Sequence, residues 1–147
     1  MIRKATQADM PAVHALVYEL ALYERAPEAH TATVENYIRD FQAGIFEAHV
    51  AVDIETDTII GMILYYMSYS TWKGRMLYLE DFVVTESYRQ YGVGQLLFDT
   101  FLTVARQKEC ILVKWQVLDW NEPAIQFYQK NNSILEKEWW NGKIFLT

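Results

Sequence analysis

Leu77-Tyr78-Leu79-Glu80-Asp81-Phe82-Val83-Val84 leads into Arg89-Gln90-Tyr91-Gly92-Val93-Gly94, and the architecture turns on this junction. The first eight residues set aliphatic and aromatic side chains around an acidic pair, which reads as a strand over Met76–Val84. Beyond Gly94, the residues Leu97, Phe98, Phe101, Leu102 and Ala105 form one apolar stripe at helical spacing. Two glycines one residue apart, where a strand hands over to a helix, let the backbone turn tightly and approach a ligand closely. The N–H groups of such a turn and the helix dipole make an anion site suited to a pyrophosphate, and Arg89 adds positive charge there. No Gly-Lys-Ser/Thr follows, so this is not a Walker loop. Gln95-Leu96-Leu97 lacks the third glycine of a dinucleotide fingerprint.

Working outward, Ile2–Ala5 reads as a short first strand. Thr6 or Asp9 caps a helix carrying Val13, Val17, Leu20 and Ala21. Arg25–Ala32 contains Pro27 and reads as a loop, and Thr33 opens a second helix that ends near Gly44. Phe46–Asp53 and Ile59–Ser70 form a hairpin through the polar turn Ile54–Thr58. Cys110–Leu118 reads as a strand, followed by a helix from Asn121-Glu122-Pro123 through Gln129. Ser133–Trp140 and Lys143–Leu146 form a possible last hairpin around Asn141-Gly142. The result is a mixed sheet with helices packed on it, α/β or α+β, in one domain over residues 1–147 with no repeat or linker.

Composition narrows the function. Hydrophobic residues make up 52% of the 147 and charged residues 22%, which excludes intrinsic disorder. A net charge of −6 argues against a nucleic-acid backbone as the main ligand and suits a cationic small molecule. No apolar stretch approaches the roughly 20 residues of a membrane span, and no signal-peptide pattern opens the chain, so a cytoplasmic location is expected. The single Cys110 excludes an internal disulfide and reads as a buried, inert thiol. His14, His30 and His49 lack metal-ligand spacing and read as structural or exposed, so no metal is expected.

A second motif lies downstream in Trp120-Asn121-Glu122-Pro123-Ala124-Ile125-Gln126-Phe127-Tyr128, with Asn121 and Tyr128 seven residues apart across a short helix. Arg/Gln-x-x-Gly-x-Gly/Ala after a strand, followed by this Asn…Tyr pair, resembles the Gcn5-related N-acetyltransferases (GNAT). The likeness extends over essentially the whole chain. Within that superfamily, Leu-Tyr-Leu-Glu-Asp-Phe and Trp-Asn-Glu-Pro-x-Ile-x-Phe-Tyr are similar to the diamine acetyltransferases, which include spermidine/spermine and thialysine enzymes. The resemblance implies a mostly antiparallel mixed sheet of about seven strands, splayed at the acetyl-CoA site by a bulge and flanked by about four helices. It also implies direct acetyl transfer from acetyl-CoA to an amine, and a homodimer with its active site near the subunit contact.

The chemistry explains the residue types. An alkylammonium with a reference pKa near 10.4 is neutral in about one molecule in a few thousand at pH 7, so a base must remove its proton. By resemblance, Glu80 does this through an ordered water and also holds the cation. Successive strand side chains face opposite ways, so one of Glu80 and Asp81 is expected to point inward. Tyr128 matches the general acid that protonates the departing thiolate of coenzyme A. Asn121 would bond the pantetheine arm, and the backbone of Phe82, Val83 and Val84 would pair with it as an added strand does. Arg89, Gln90, Tyr91, Gly92, Val93, Gly94 and Gln95 would hold the pyrophosphate, with Ala124 also lining the cofactor.

For the amine pocket, the resemblance points to Tyr23, Glu24, Glu80, Asp81, Trp72, the segment Lys114-Trp115-Gln116, and Glu138. Carboxylates and aromatic faces are what an organic cation needs. Two departures stand out. Polyamine-specific relatives carry an acidic residue at the position of Ser70, and Lys114 puts a positive charge on the pocket segment. Both leave room for a substrate that itself bears a carboxylate. The tail reads Asn131-Asn132-Ser133 where the family usually has a Gly-Ala turn. Trp139 and Trp140 read as aromatics that seal a core or an interface. The competing readings are an acetyltransferase acting on a protein or other amine, and an acyl-CoA-binding sensor without catalysis.

Overall fold

Val50, Ala51 and Val52 on one strand, and the apolar run Ile59–Tyr65 on the next, give the sheet its buried centre. The computed structural model describes residues 1–146, and the chain divides into two units: Met1–Gln116, and a second that starts at Val117. The first unit contains β1 (Ile2–Lys4), α1 (Met10–Tyr23), α2 (Val34–Gln42), β2 (Glu47–Asp53), β3 (Thr58–Ser70), β4 (Gly74–Val84), α3 (Val93–Gln107) and β5 (Leu112–Lys114). Single 3₁₀ turns at Gln7–Asp9, Pro27–Ala29 and Glu86–Tyr88 connect them. The second unit contains α4 (Glu122–Lys130).

The strands lie in the order β1-β2-β3-β4-β5, antiparallel except for the parallel pair β4–β5. The mixed, mostly antiparallel sheet and the four α-helices match expectation; the strand count does not. Five strands form among the described residues where about seven were expected. The fifth stops at Lys114 instead of continuing to Leu118. Its ladder with β4 ends at Tyr78↔Lys114, just before the irregularity in β4 described below, which turns that strand away from a continuing partner. Residues 133–146 form no ladder either. Ile134, Trp139, Trp140, Ile144, Phe145 and Leu146 are exposed, so the two tryptophans seal no core within the second unit. A two-stranded hairpin with no apolar surface beneath it is marginal in water.

Apolar side chains cover both faces of the sheet. On one face, Met10, Val13, Leu16 and Val17 of α1 pack with Val50, Met62, Leu64 and Val83. On the other, Leu97, Phe98 and Phe101 of α3 are buried, and the Phe101 ring lies 5.6 Å from that of Tyr65. The start signal of α2 operates as read, whereas Asp9, the N-cap of α1, makes no side-chain bond to that helix and serves the 3₁₀ turn before it. Thr33 caps α2 by accepting from the Asn36 N–H at 3.1 Å. Asp9 accepts from the Thr6 N–H at 2.7 Å, and the Arg3 guanidinium beside it holds its carboxyl below the usual carboxylate range.

Gly61 is a position whose role the sequence does not announce. A Cβ there would stand 3.1 Å from the Val83 carbonyl oxygen and 3.3 Å from a Leu97 methyl. The close approach of β3, β4 and α3 therefore needs a residue without a side chain. Gly61→Ala is expected to destabilise the fold by about 1–3 kcal/mol through overpacking. Thermal unfolding of the variant measures it.

Candidate active site

The register between β3 and β4 contains one extra residue. Leu64 faces Asp81 and the next residue, Tyr65, faces Leu79, so Glu80 has no opposite number. A bulge of this kind interrupts the alternation of side chains along the strand. Asp81 lies opposite Leu64, which belongs to the α1-side core. Glu80 Oε2 accepts a hydrogen bond at 3.1 Å from the hydroxyl of Tyr66, two residues beyond Leu64 on the same strand face. Both carboxylates thus lie on one face, whereas strand alternation alone would set them on opposite faces.

Electrostatics follow from that placement. Burial, then the charges of Glu80 and Glu24, push the Asp81 carboxyl up to about 7. Burial also raises the Glu24 carboxyl at the end of α1. Tyr37 of α2 is pushed up to about 12 by burial, with Asp81 and Glu80 adding to the shift. The phenols of Tyr66 and Tyr78 rise for the same two reasons, burial and the Glu80 charge, and their rings lie 5.4 Å apart. Among the described residues, no ion pair reaches Glu24, Glu80 or Asp81. Three carboxylates walled by tyrosines form a surface that favours an organic cation.

Beside this face, residues 89–94 make the tight turn between β4 and α3 that two glycines permit. Gln90 has φ +68° and Gly92 φ +84°, and Gly92 is the N-cap of the 15-residue α3 without any side-chain cap. The N–H groups at such a helix start have no carbonyl within the helix to bond. A Cβ at Gly94 would stand 3.6 Å from the Phe82 ring, an ordinary contact, consistent with a motif that accepts alanine at this place. Phe82, Val83 and Val84 pair with Ile63, Met62 and Gly61 on one edge. Their other edge lies beyond the last β4–β5 pair. An extended, amide-bearing arm can add to such an edge by backbone hydrogen bonds. These features fit the pantetheine and pyrophosphate of a coenzyme A thioester.

Arg89 behaves less simply than an anion ligand. Its Nε donates to the Val84 carbonyl at 2.8 Å, and its guanidinium lies 5.7 Å from the Tyr23 ring. Residues assigned from sequence to cofactor and substrate are thus in contact here. Tyr91 and Trp72 are exposed, the latter in the β3–β4 turn. Lys114 sits opposite Tyr78 in the parallel pair, whereas Trp115 packs its ring edge against Phe98 of α3 at 5.8 Å, and Gln116 is exposed.

In the second unit, Asn121 caps α4 by accepting from the Ala124 N–H at 3.4 Å. Tyr128 is the buried residue of that helix. Seven residues are close to two helical turns, which puts Asn121 and Tyr128 on one side of α4. The Tyr128 carbonyl accepts from Ser133 Oγ at 2.8 Å, and Asn131 Nδ2 donates to the Phe127 carbonyl at 2.9 Å. The Asn131-Asn132-Ser133 turn thereby closes the helix with side-chain bonds. Glu138 is exposed.

Sequence reasoning gave no site role to Tyr37 or Tyr66, and it read the three histidines as structural or exposed. The His14 and His30 rings lie 4.5 Å apart, tilted by 35°, and His30 Nε2 lies 3.1 Å from the Tyr37 hydroxyl. His49 Nδ1 lies 2.9 Å from the Tyr65 hydroxyl. Only the Tyr66–Tyr78 pairing had a usable sequence signal, through strand alternation across the hairpin.

The sequence profile of the acetyltransferase (GNAT) family matches residues 13–132. The thialysine N-epsilon-acetyltransferase of Bos taurus is 34% identical over 151 residues, covering 96% of this chain and 89% of that protein. The spermidine/spermine N(1)-acetyltransferase-like protein 1 of Homo sapiens is 29% identical over 140 residues, covering 90% of this chain and 20% of that one. In three dimensions, a tetramutant of the BH1408 protein from Bacillus halodurans superimposes with a TM-score of 0.79 at 23% identity, covering 98% of this chain and 99% of the other.

Proposed function

The chain belongs to the GNAT acetyltransferase family, and from that premise we propose that it transfers the acetyl group of acetyl-CoA directly to a primary amine of a small substrate, a diamine, polyamine or thialysine-like amino acid. The observation that carries the substrate class is the bulge in β4, which gathers Glu80 and Asp81 on one face within the electrostatic reach of Glu24. The names of the relatives point the same way.

In this reading, the carboxylates and the Tyr23 and Tyr66 rings hold the cation. Glu80 accepts the ammonium proton through a water molecule. The freed amine is then nucleophilic, and acetyl-CoA supplies an activated thioester when bound. Tyr128 delivers a proton to the departing sulfur, and Asn121 holds the pantetheine arm. The segment Gln90–Gly94 and the first turn of α3 take the pyrophosphate, while Phe82, Val83 and Val84 pair with the arm. Trp72, Lys114, Trp115 and Gln116 are read as further amine-binding residues, as is Glu138 by the family resemblance, with Lys114 available to a substrate carboxylate. The enzyme is read as one catalytic domain over 1–147, acting in the cytoplasm as a homodimer without nucleic-acid or membrane partners. The charge of −6 supports the lack of nucleic-acid affinity. Among the described residues, no helix is long and apolar enough to cross a membrane.

Release of coenzyme A from acetyl-CoA, measured against putrescine, spermidine, spermine, thialysine, lysine and a histone-tail peptide, tests the reading. Turnover is expected on one of the small amines. Turnover on the peptide alone, or on none of them, would reject the substrate class.

A further inference from the structure

The connection between β4 and α3 shapes the anion cradle, and it is fastened from a distant part of the sheet. The Tyr88 hydroxyl donates to Asp53 Oδ2 at 2.7 Å, across 35 residues of chain. Asp53 closes β2, and its other oxygen, Oδ1, accepts from the Glu55 N–H at 3.0 Å. The β2–β3 turn therefore orients the carboxylate that meets Tyr88. The Tyr88 hydroxyl is the leading cause that holds the Asp53 carboxyl below its ordinary range. Thr85 N–H donates to the Ile60 carbonyl at 2.8 Å, and Arg89 Nε to the Val84 carbonyl at 2.8 Å. These bonds fix the start of the connection.

Immediately after the fastening come the two left-handed residues, Gln90 at φ +68° and Gly92 at φ +84°. Glycine adopts that conformation at no steric cost, but glutamine does not, and a non-glycine residue persists there only when its surroundings impose it. Tyr88, two residues earlier, reaches outside the connection with a short hydrogen bond to a charged acceptor, a strong kind. Neither Asp53 nor Tyr88 belongs to the motif that assigns the cofactor site.

We propose that Asp53 and Tyr88 are positioning residues for the cofactor. Their bond holds Gln90 and Gly92 in the conformations that aim the N–H groups at the start of α3 toward a pyrophosphate. The inference rests on the acetyl-CoA reading above, and its test separates the two. Titration calorimetry would measure coenzyme A, and also pantetheine, which has no pyrophosphate, against the full-length protein and its variants. Tyr88→Phe and Asp53→Ala are each expected to weaken coenzyme A about five- to tenfold, the loss of one charge-assisted hydrogen bond. Asp53→Asn keeps an acceptor oxygen and is expected to stay within about twofold of the unaltered protein. The double variant Asp53→Ala/Tyr88→Phe is expected to be no weaker than either single one, because both remove the same bond. Pantetheine is expected to bind all of them equally. Coenzyme A bound equally by Tyr88→Phe and the unaltered protein would overturn the proposal, as would a matching loss for pantetheine, which would mean general damage to the fold. Failure of the unaltered protein to bind coenzyme A would overturn the acetyl-CoA reading and this inference with it.

Discussion

Tyr128→Phe is expected to lower kcat by about a hundredfold or more, the usual contribution of a positioned general acid, while KM for acetyl-CoA stays within about twofold. The substitution removes one oxygen and keeps the ring, so the buried packing of α4 survives. A thiolate is a fair leaving group, so the loss is set by how far sulfur departure limits the overall rate. Two controls sharpen the result. The Tyr128 carbonyl, which accepts from Ser133 Oγ and the Ser133 N–H, is untouched, so the helix terminus stays formed and circular dichroism is unchanged. Raising the amine concentration does not restore the rate, because the defect lies after substrate binding. A variant with unchanged kcat would remove Tyr128 from the chemistry and leave the Asn121…Tyr128 spacing as a packing motif.

Asp81 gives the second large effect, and the sign can be worked through for both activity and stability. Its carboxyl sits at about 7 in the fold, raised from the ordinary value near 3.8 by burial and by Glu80 and Glu24. The Asp81 carboxyl therefore gives up its proton near neutrality. Below that pH the pair carries less negative charge to receive an ammonium proton or hold the cation. The quantity kcat/KM is therefore expected to fall about tenfold per pH unit below about 7 and to level off above it. Asp81→Asn holds that position neutral at every pH, so kcat/KM is expected to stay at its low-pH level and the limb near 7 to disappear. Glu80→Gln should cost about a hundredfold in kcat.

For stability, a folded value above the unfolded one means that the fold prefers the protonated carboxyl. Its preference is fully present below about pH 4 and is lost as pH rises through about 7. Asp81→Asn should therefore raise the thermal midpoint at pH 8 and leave it nearly unchanged at pH 4. An equal effect at both values would mean that the substitution acts through packing and not through charge.

Most of the architecture was legible in residue patterns, because local signals and burial agree there. The β2–β3 hairpin, the start of α2 at Thr33, the stripe of α3 and the cap of α4 at Asn121 lie where periodicity and capping residues put them. What escaped the sequence has a common cause. Strand alternation assigned Glu80 and Asp81 to opposite faces, but one added residue in a ladder is a property of the pairing and leaves no mark on either strand alone. The fifth strand ended early for the same reason: its neighbour, not its own composition, limits it. Residues 133–146 have the alternation and the Asn-Gly signal of a hairpin, yet propensity without a buried face does not hold two strands together. Asp53 and Tyr88 meet across 35 residues, beyond the range at which spacing carries information.

The unmatched residue of β4 also has a meaning in terms of insertion and deletion. Removing Glu80 would let Asp81 follow Leu79 in regular alternation, giving a more uniform ladder. The same change would keep Asp81 opposite Leu64 and Phe82–Val84 in register with β3, but would take away the carboxylate that meets the Tyr66 hydroxyl. A shorter chain would thus make a better sheet and a poorer catalyst. Length at this one point is the parameter on which selection for stability and selection for activity pull in opposite directions.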